Sequence, residues 1–249
     1  MPSSSSSNLS KVKIRKPLLV IPTYNERENL PELVRRLPPV QGLELLFIDD
    51  HSKDGTSEWI RELIKSRPGT HLIERPSKLG LGTAYITGFQ WALERDFDAM
   101  FEMDADLSHD PSEIPQFIQK IEEGADLVVG SRYVNGIRVI NWPLNRLVLS
   151  LFAAKYTHFW TGLPLTDPTS GFKCFCRKVL ESIPLDRIHS NGYGFQIEID
   201  YYAWKKGFRL VEVPIIFNDR QIGSSKMSPQ IVREAAWRVP ILRLRSFFW

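Results

Sequence analysis

Residues 98–131 read DAMFEMDADLSHDPSEIPQFIQKIEEGADLVVGS. The stretch opens with a strand-like apolar run, DAMFEMD, and continues into two carboxylates, Asp104 and Asp106, separated by one alanine. A helical pattern, PSEIPQFIQKIEE, follows, and a second apolar run, ADLVVGS, closes the unit. Asp110, Pro111 and Ser112 supply the helix-start signal between them. Strand, helix and strand in this order, with strands apolar throughout, imply a parallel sheet covered by helices on both faces. The same alternation extends outward from Pro17 to Arg132. PLLVIP, LELLFID and THLIE read as strands, and ENLPELVRRL, TSEWIRELIKS and TAYITGFQWALER as helices, the second of these entered through Asp54 and Thr56. The expected fold class is α/β, a mostly parallel sheet flanked by helices.

Beyond Arg132 the pattern changes. Residues 142–160, WPLNRLVLSLFAAKYTHFW, read as one strongly apolar helix, followed by the turn-rich DPTSGF, a short CFCRKVLESI element, the helix YGFQIEIDYYAWKKG and the strand-like RLVEVPIIFNDR. The 249 residues, 43% apolar and 24% charged, are enough for a globular core. A net charge of +3 is too small to argue for nucleic acid. Cys174 and Cys176, read as facing opposite sides of a strand, point to reduced thiols and not to a disulfide framework. The leading MPSSSSSNLSKVKIRK has no apolar segment of the signal-peptide kind and reads as a disordered lead-in. No stretch reaches the roughly 18 uninterrupted apolar residues of a membrane span.

In sheets of this type, ligands sit beyond the carboxyl ends of the strands. The loops there, PTYNE, DDHSKDGT, MDADLSH and GSRY, are rich in polar and charged residues. Two carboxylates on one exposed loop repel each other, and a hard divalent cation relieves that repulsion, a nucleotide diphosphate completing its shell. The plainer reading makes one aspartate a helix cap, but Asp110 is the better cap for that helix.

LVIPTYNERENL, FIDDHSKDGT, KLGLGTAYITGF, MDADLSHDP, VVGSRY and DPTSGFKCF occur in this order. Together they closely resemble the family 2 glycosyltransferases, and among these the polyprenol-phosphate (dolichol-phosphate) mannose synthases, over roughly residues 17–228. The resemblance implies a GT-A-type nucleotide-sugar fold, Mg²⁺ or Mn²⁺ as cofactor, and transfer of mannose from GDP-mannose to a polyprenyl phosphate with inversion. It implies donor binding by Pro22, Tyr24, Glu26, Ile48, Asp50, Asp104, Ala105 and Asp106, with Arg220 and Lys226 on the diphosphate, and metal binding by Asp104 and Asp106. Asp49 is expected only to orient its neighbour. Gly80 and Gly82 do not make a dinucleotide fingerprint, since they do not follow the first strand.

Acceptor recognition is expected from Arg132, Arg146 and Ser150. The last two are spaced i, i+4 on one face of an otherwise apolar helix, where a lipid phosphate would partner them. Catalytic roles then fall to Asp104, Asp106 and Arg132. A phosphate acceptor needs no strong general base, so His109 beside the paired aspartates is read as a bystander. The domain expectation is a disordered tail over 1–15, a glycosyltransferase domain over 16–227, and an amphipathic membrane-surface tail over 228–249, where arginines alternate with apolar and aromatic residues. Pro240 would kink that tail. Peripheral binding on the cytoplasmic face follows, leaving room for small membrane-anchoring partner subunits. The rival readings are a sister transferase using UDP-glucose or another nucleotide sugar, and a noncatalytic nucleotide-sugar-binding subunit.

Overall fold

The computed structural model describes residues 13–188, 190, 192–219 and 237–244. The lead-in up to residue 12, Arg220, Lys226 and most of the 228–249 tail therefore lie outside the described residues. The strands are β1 (Pro17–Thr23), β2 (Glu44–Asp49), β3 (Thr70–Glu74), β4 (Ala99–Glu102), β5 (Leu127–Ser131), β6 (Val139–Ile140), β7 (Lys173–Cys176), β8 (Leu210–Pro214) and β9 (Phe217–Asn218). The helices are α1 (Leu30–Arg35), α2 (Thr56–Ser66), α3 (Leu81–Leu93), α4 (Ile114–Glu122), α5 (Leu144–Thr161), α6 (Arg177–Ser182) and α7 (Tyr193–Lys205), and residues 237–244 are helical through Pro240.

Seven strands form one sheet in the order β3-β2-β1-β4-β7-β5-β8, and β6 pairs with β9. Every pairing in the large sheet is parallel except those of β7, which runs antiparallel between β4 and β5. The two strands of the 98–131 unit are therefore not neighbours, since the later CFC segment inserts between them. Cys174 and Cys176 lie two residues apart in β7. Side chains alternate with a period of two along a strand, so the pair shares one face, contrary to the expectation of opposite faces. Both are free, buried thiols.

Leu18, Leu19, Val20 and Ile21 of β1 are completely buried, as a central parallel strand covered on both faces requires. Each such side chain contributes about 1.5–3 kcal/mol on burial. Helix α3 lies close over this strand because of Gly88, where a Cβ would come within 2.4 Å of Val20 Cγ1. Asp110 accepts from the Ser112 backbone N–H at 2.9 Å, so it caps the helical entry that precedes α4 and leaves the D-x-D aspartates for another purpose.

Candidate functional site

The order of the parallel strands reverses at β1, with β2 on one side and β4 on the other, and the strand-end loops converge beyond that point. Three of these loops contain a non-glycine residue in the left-handed region: Asn25 (φ 56°), His51 (φ 62°) and Leu107 (φ 62°). Such conformations persist where the surroundings over-determine them. Here Asp49 does so. Its buried carboxylate accepts from Thr23 Oγ1 (2.9 Å), Ser52 Oγ (2.6 Å) and Ser57 Oγ (2.8 Å), tying the ends of β1 and β2 to the start of α2.

The loops enclose a cavity of about 370 Å³ lined by Pro22, Tyr24, Glu26, Asp50, Asp104, Ala105, Asp106, Arg132 and Arg146 among others. Nine residues expected from separate parts of the chain thus line one cavity. Ile48 does not line the cavity. It is completely buried in β2 beside Pro22, and the structure brings only its neighbour Asp50 to the surface of the site. The Lys78 ammonium lies 4.0 Å from the centre of the Tyr24 ring. Asp50 accepts from Arg75 Nε at 2.5 Å, and the same guanidinium donates to Thr83 Oγ1 (2.8 Å) and Gly80 O (3.1 Å). Arg75 therefore joins Asp50 to the KLGLG turn that opens α3.

Tyr85 donates to Asp104 Oδ1 at 3.2 Å. Burial, with the charge of Asp104 next, holds the Tyr85 phenol protonated well above its usual range, so its donor role persists at any physiological pH. Asp106 accepts from the Ser108 backbone N–H at 3.0 Å and is 4% exposed, so the expected exposed carboxylate pair is corrected to one partly exposed and one buried member. A short turn folds Asp106 back under the loop. No group of three His, Cys, Asp or Glu residues suited to a metal occurs among the described residues. Two carboxylates on a cavity wall fit a hard cation that takes the rest of its oxygen shell from a ligand, the usual arrangement for Mg²⁺ with substrate phosphates.

Arg132 and Arg146 line both this cavity and an adjoining apolar groove of about 150 Å³, whose other walls include Trp142, Leu149, Ser150, Phe152, Tyr156 and Val239. Arg132 is buried and bound by Asp167, which accepts from Nε at 2.6 Å and Nη2 at 2.5 Å, while Thr169 Oγ1 accepts from Nη2 at 2.8 Å. Burial is the largest single influence on the Asp167 carboxyl and raises it, but the Arg132 charge together with the hydrogen bonds from Arg132 and Thr169 outweighs it, leaving the group below its ordinary value. Arg146 donates to Asp219 Oδ1 at 2.8 Å and stacks 4.1 Å from the centre of the Trp142 ring. Ser150 accepts from the Tyr133 hydroxyl at 2.6 Å. His109 is buried between Phe172 and Phe217, at ring distances of 5.4 and 5.1 Å.

The tail expectation divides. Val239 and Leu242 pack on Ile197 and Tyr201 of α7 and are buried, so these two are core residues and not surface contacts. Trp237, Ile241 and Leu244, spaced i, i+4 and i+7, stay exposed, as do Leu144, Val148, Phe152 and Phe159 of α5. Arg243 Nη1 donates to Trp160 O at 3.0 Å, joining the two helices edge to edge.

Sequence reading missed Arg75, Tyr85, Asp167 and Asp219, which hold the expected residues from distant parts of the chain. It also missed the fully buried Lys173, which meets Asp200 at 2.8 Å and Glu102 at 3.8 Å. A lysine and a glutamate inside strand-like runs were the available signal for that cluster.

Residues 18–183 match the family described as glycosyl transferase family 2. The chain is 46% identical over 227 residues to a polyprenol monophosphomannose synthase of Mycolicibacterium smegmatis, covering 90% of this chain and 86% of that one. It is 44% identical to an undecaprenyl-phosphate mannosyltransferase of Micrococcus luteus, over 89% of this chain and 91% of that one. It is 39% identical to a dolichol-phosphate mannosyltransferase of Pyrococcus furiosus, over 87% of this chain and 60% of that one. Among solved structures, glucosyl-3-phosphoglycerate synthase from Mycobacterium tuberculosis, in complex with Mn²⁺, UDP and phosphoglyceric acid, superposes with a TM-score of 0.62 at 19% identity, covering 93% of this chain and 78% of that one. That likeness concerns the fold, which is GT-A-like.

Proposed function

The chain belongs to glycosyl transferase family 2, and from this premise we infer a mannosyltransferase that acts on a polyprenyl phosphate, with GDP-mannose as donor. The observation that carries the reading is the junction of two spaces at Arg132 and Arg146. On one side lies a polar cavity with the paired aspartates, and on the other a groove with apolar walls. A nucleotide sugar fits the first and a lipid chain the second, so the acceptor phosphate would meet the sugar at the two arginines.

Pro22, Tyr24, Glu26 and Asp50 would hold the nucleoside, the carboxylates accepting from ribose hydroxyls or base N–H groups. Asp104 and Asp106 would hold Mg²⁺ or Mn²⁺, which when bound neutralises charge on the diphosphate leaving group. Arg220 and Lys226, outside the described residues, would close on the same diphosphate. Arg146, Ser150 and the Asp167-oriented Arg132 would fix the acceptor phosphate in line with the anomeric carbon. An acceptor oxygen already ionised near neutral pH needs no general base. A single displacement then converts an α-linked donor to a β-mannosyl phosphate.

No helix among the described residues is long and apolar enough to cross a membrane. The exposed apolar stripes of α5 and residues 237–244 support contact with the surface of the bilayer that holds the acceptor, and the face proposed for that contact is the cytoplasmic one. Incubation with radiolabelled GDP-mannose or UDP-glucose, Mn²⁺ and polyprenyl phosphate tests the reading. Label should enter lipid from GDP-mannose, and labelling from UDP-glucose alone would overturn the donor assignment.

A further inference from the structure

We propose that Gln196 is a specificity-determining residue that hydrogen-bonds the hydroxyl groups of the donor's sugar ring; this rests on the nucleotide-sugar reading of the cavity. Gln196 is 2% exposed, yet it lines the cavity, and neither Oε1 nor Nε2 makes a hydrogen bond of good geometry within the fold. Its polar neighbour inside the fold is the buried Glu102 carboxyl, which engages at most one N–H of the amide. A buried primary amide with its oxygen and an N–H left unmet is costly, and what it lacks is a partner that accepts and donates at adjacent positions. Neighbouring hydroxyls of a pyranose do both.

The amide is held in place from below. The Gln196 backbone carbonyl accepts from Lys173 Nζ at 3.0 Å, and Lys173 is completely buried and paired with Asp200. The first turns of α7 are thereby anchored to the central sheet, and a rotation that moved Gln196 out of the cavity would break this anchor. The amide also stands at the right place for a sugar. A Cβ built on Gly171 would lie 3.7 Å from Asp104 Oδ2 and 3.8 Å from Gln196 Nε2, so carboxylate and amide flank one point on the cavity floor. The diphosphate end of the donor belongs at Asp104, and the acceptor at Arg132 and Arg146. The sugar between them has Gln196 beside it.

A site that hydrogen-bonds a substrate hydroxyl rejects the analogue that lacks it, because its own buried group is left unpaired. The test is therefore calorimetry in Mn²⁺ with GDP, GDP-mannose and the singly deoxygenated GDP-mannoses, on the wild-type chain, Gln196→Leu and Gln196→Asn. Leucine keeps the bulk without the amide, and asparagine keeps the amide but withdraws it by one methylene. Both variants should bind GDP within about twofold of wild type and GDP-mannose at least about tenfold more weakly. Wild type should lose a similar factor with at least one deoxy donor, which Gln196→Leu should not distinguish from its parent. Equal weakening of GDP and GDP-mannose in both variants would reduce Gln196 to a structural residue, and unchanged binding of both would remove it from the sugar site. If wild type binds UDP-glucose and not GDP-mannose, the donor assignment fails. The same comparison with UDP, UDP-glucose and its deoxy analogues then decides the role of Gln196.

Discussion

The Asp167 carboxylate accepts three times from Arg132: from its backbone N–H at 2.9 Å, from Nε at 2.6 Å and from Nη2 at 2.5 Å. Both residues are buried, and the pair joins the end of β5 to the DPTSGF turn. Removing one partner of a buried ion pair leaves the other uncompensated, at a cost of about 3–5 kcal/mol. Asp167→Ala should lower the unfolding free energy by that amount. Asp167→Ala/Arg132→Met should recover much of the stability while remaining inactive with lipid acceptor. Chemical denaturation and transfer assays on the same preparations check both halves, and restored turnover in the double variant would mean that Arg132 serves the fold alone.

At the paired aspartates, Asp106→Asn should retain the fold yet lose at least about 100-fold in rate, or about 2.7 kcal/mol of transition-state stabilisation. Tyr85→Phe removes a donor to Asp104 without altering the nucleoside contacts assigned to Pro22, Tyr24, Glu26 and Asp50. Outer contacts of this kind are worth about 10–100-fold in metal affinity. Titrating Mn²⁺ against turnover should therefore show a raised metal requirement in Tyr85→Phe with near-normal rate at saturation. Full activity of Asp106→Asn, or of wild type in EDTA, contradicts the metal assignment.

Donor and acceptor contacts should separate in binding experiments. Arg146→Ala and Ser150→Ala should impair lipid-phosphate use and leave GDP affinity nearly intact, whereas Arg220→Ala and Lys226→Ala should weaken GDP. Arg75→Met belongs with the second group, because Arg75 positions Asp50. Calorimetry with GDP and Mn²⁺ distinguishes them, and uniform loss across all five variants would show that the two sites are not distinct.

These partnerships mark where sequence reading stops. The alternation of apolar runs and amphipathic helices was legible because burial on both faces writes itself into consecutive residues. The strand-end positions of Asp50, Asp104 and Asp106 followed from it. Asp167 lies 35 residues from Arg132, and Asp219 lies 73 from Arg146, distances at which one sequence carries no local signal. The antiparallel insertion of β7 was invisible for the same reason, as was the burial of Asp106, which depends on a turn at Leu107. In the tail, the i, i+4, i+7 stripe of Trp237, Ile241 and Leu244 and the buried Val239 and Leu242 are equally apolar in sequence, and packing on α7 separates them.

Buried carboxyls give a pH signature. Burial pushes the Asp200 carboxyl up to about 7, despite the charge of Lys173, with Glu212 and Asp167 adding to the rise. An unfolded aspartate has a value of about 3.9. Between these values the folded chain holds a proton that the unfolded chain has lost. The stabilising contribution of protonated Asp200 is therefore present at low pH and is lost as pH rises from about 4 to about 7, at no more than about 1.4 kcal/mol per unit. Asp200→Asn cannot titrate, so denaturation at pH 5 and pH 7.5 should show wild type losing about 1 kcal/mol or more relative to the variant. A gap independent of pH would place the carboxyl in its ordinary range.

The exposed apolar stripes predict how the chain meets its acceptor. Trp237 and Phe159 are each 75% exposed and Phe152 is 65% exposed, while Val239 and Leu242 on the opposite face of the C-terminal helical segment are buried. Two adjacent helices that each bury one apolar face and display another are suited to lying in a headgroup plane. Lys155 and Arg243 are exposed on the same two helices, and each basic residue near an anionic surface contributes about 1 kcal/mol. The exposed Phe152 also lines the groove, so a lipid chain drawn from the bilayer would enter along α5 with its phosphate toward Arg146. Deleting the whole segment would uncover Ile197 and Tyr201 and confuse folding with binding. Trp237→Ser/Ile241→Ser/Leu244→Ser avoids that, since all three side chains face outward. Co-sedimentation with anionic vesicles should fall severalfold in this variant and fall further with added salt, while GDP affinity stays unchanged. If the variant sediments as well as wild type, with or without salt, the segment serves only to cover α7 and another surface brings the enzyme to its lipid.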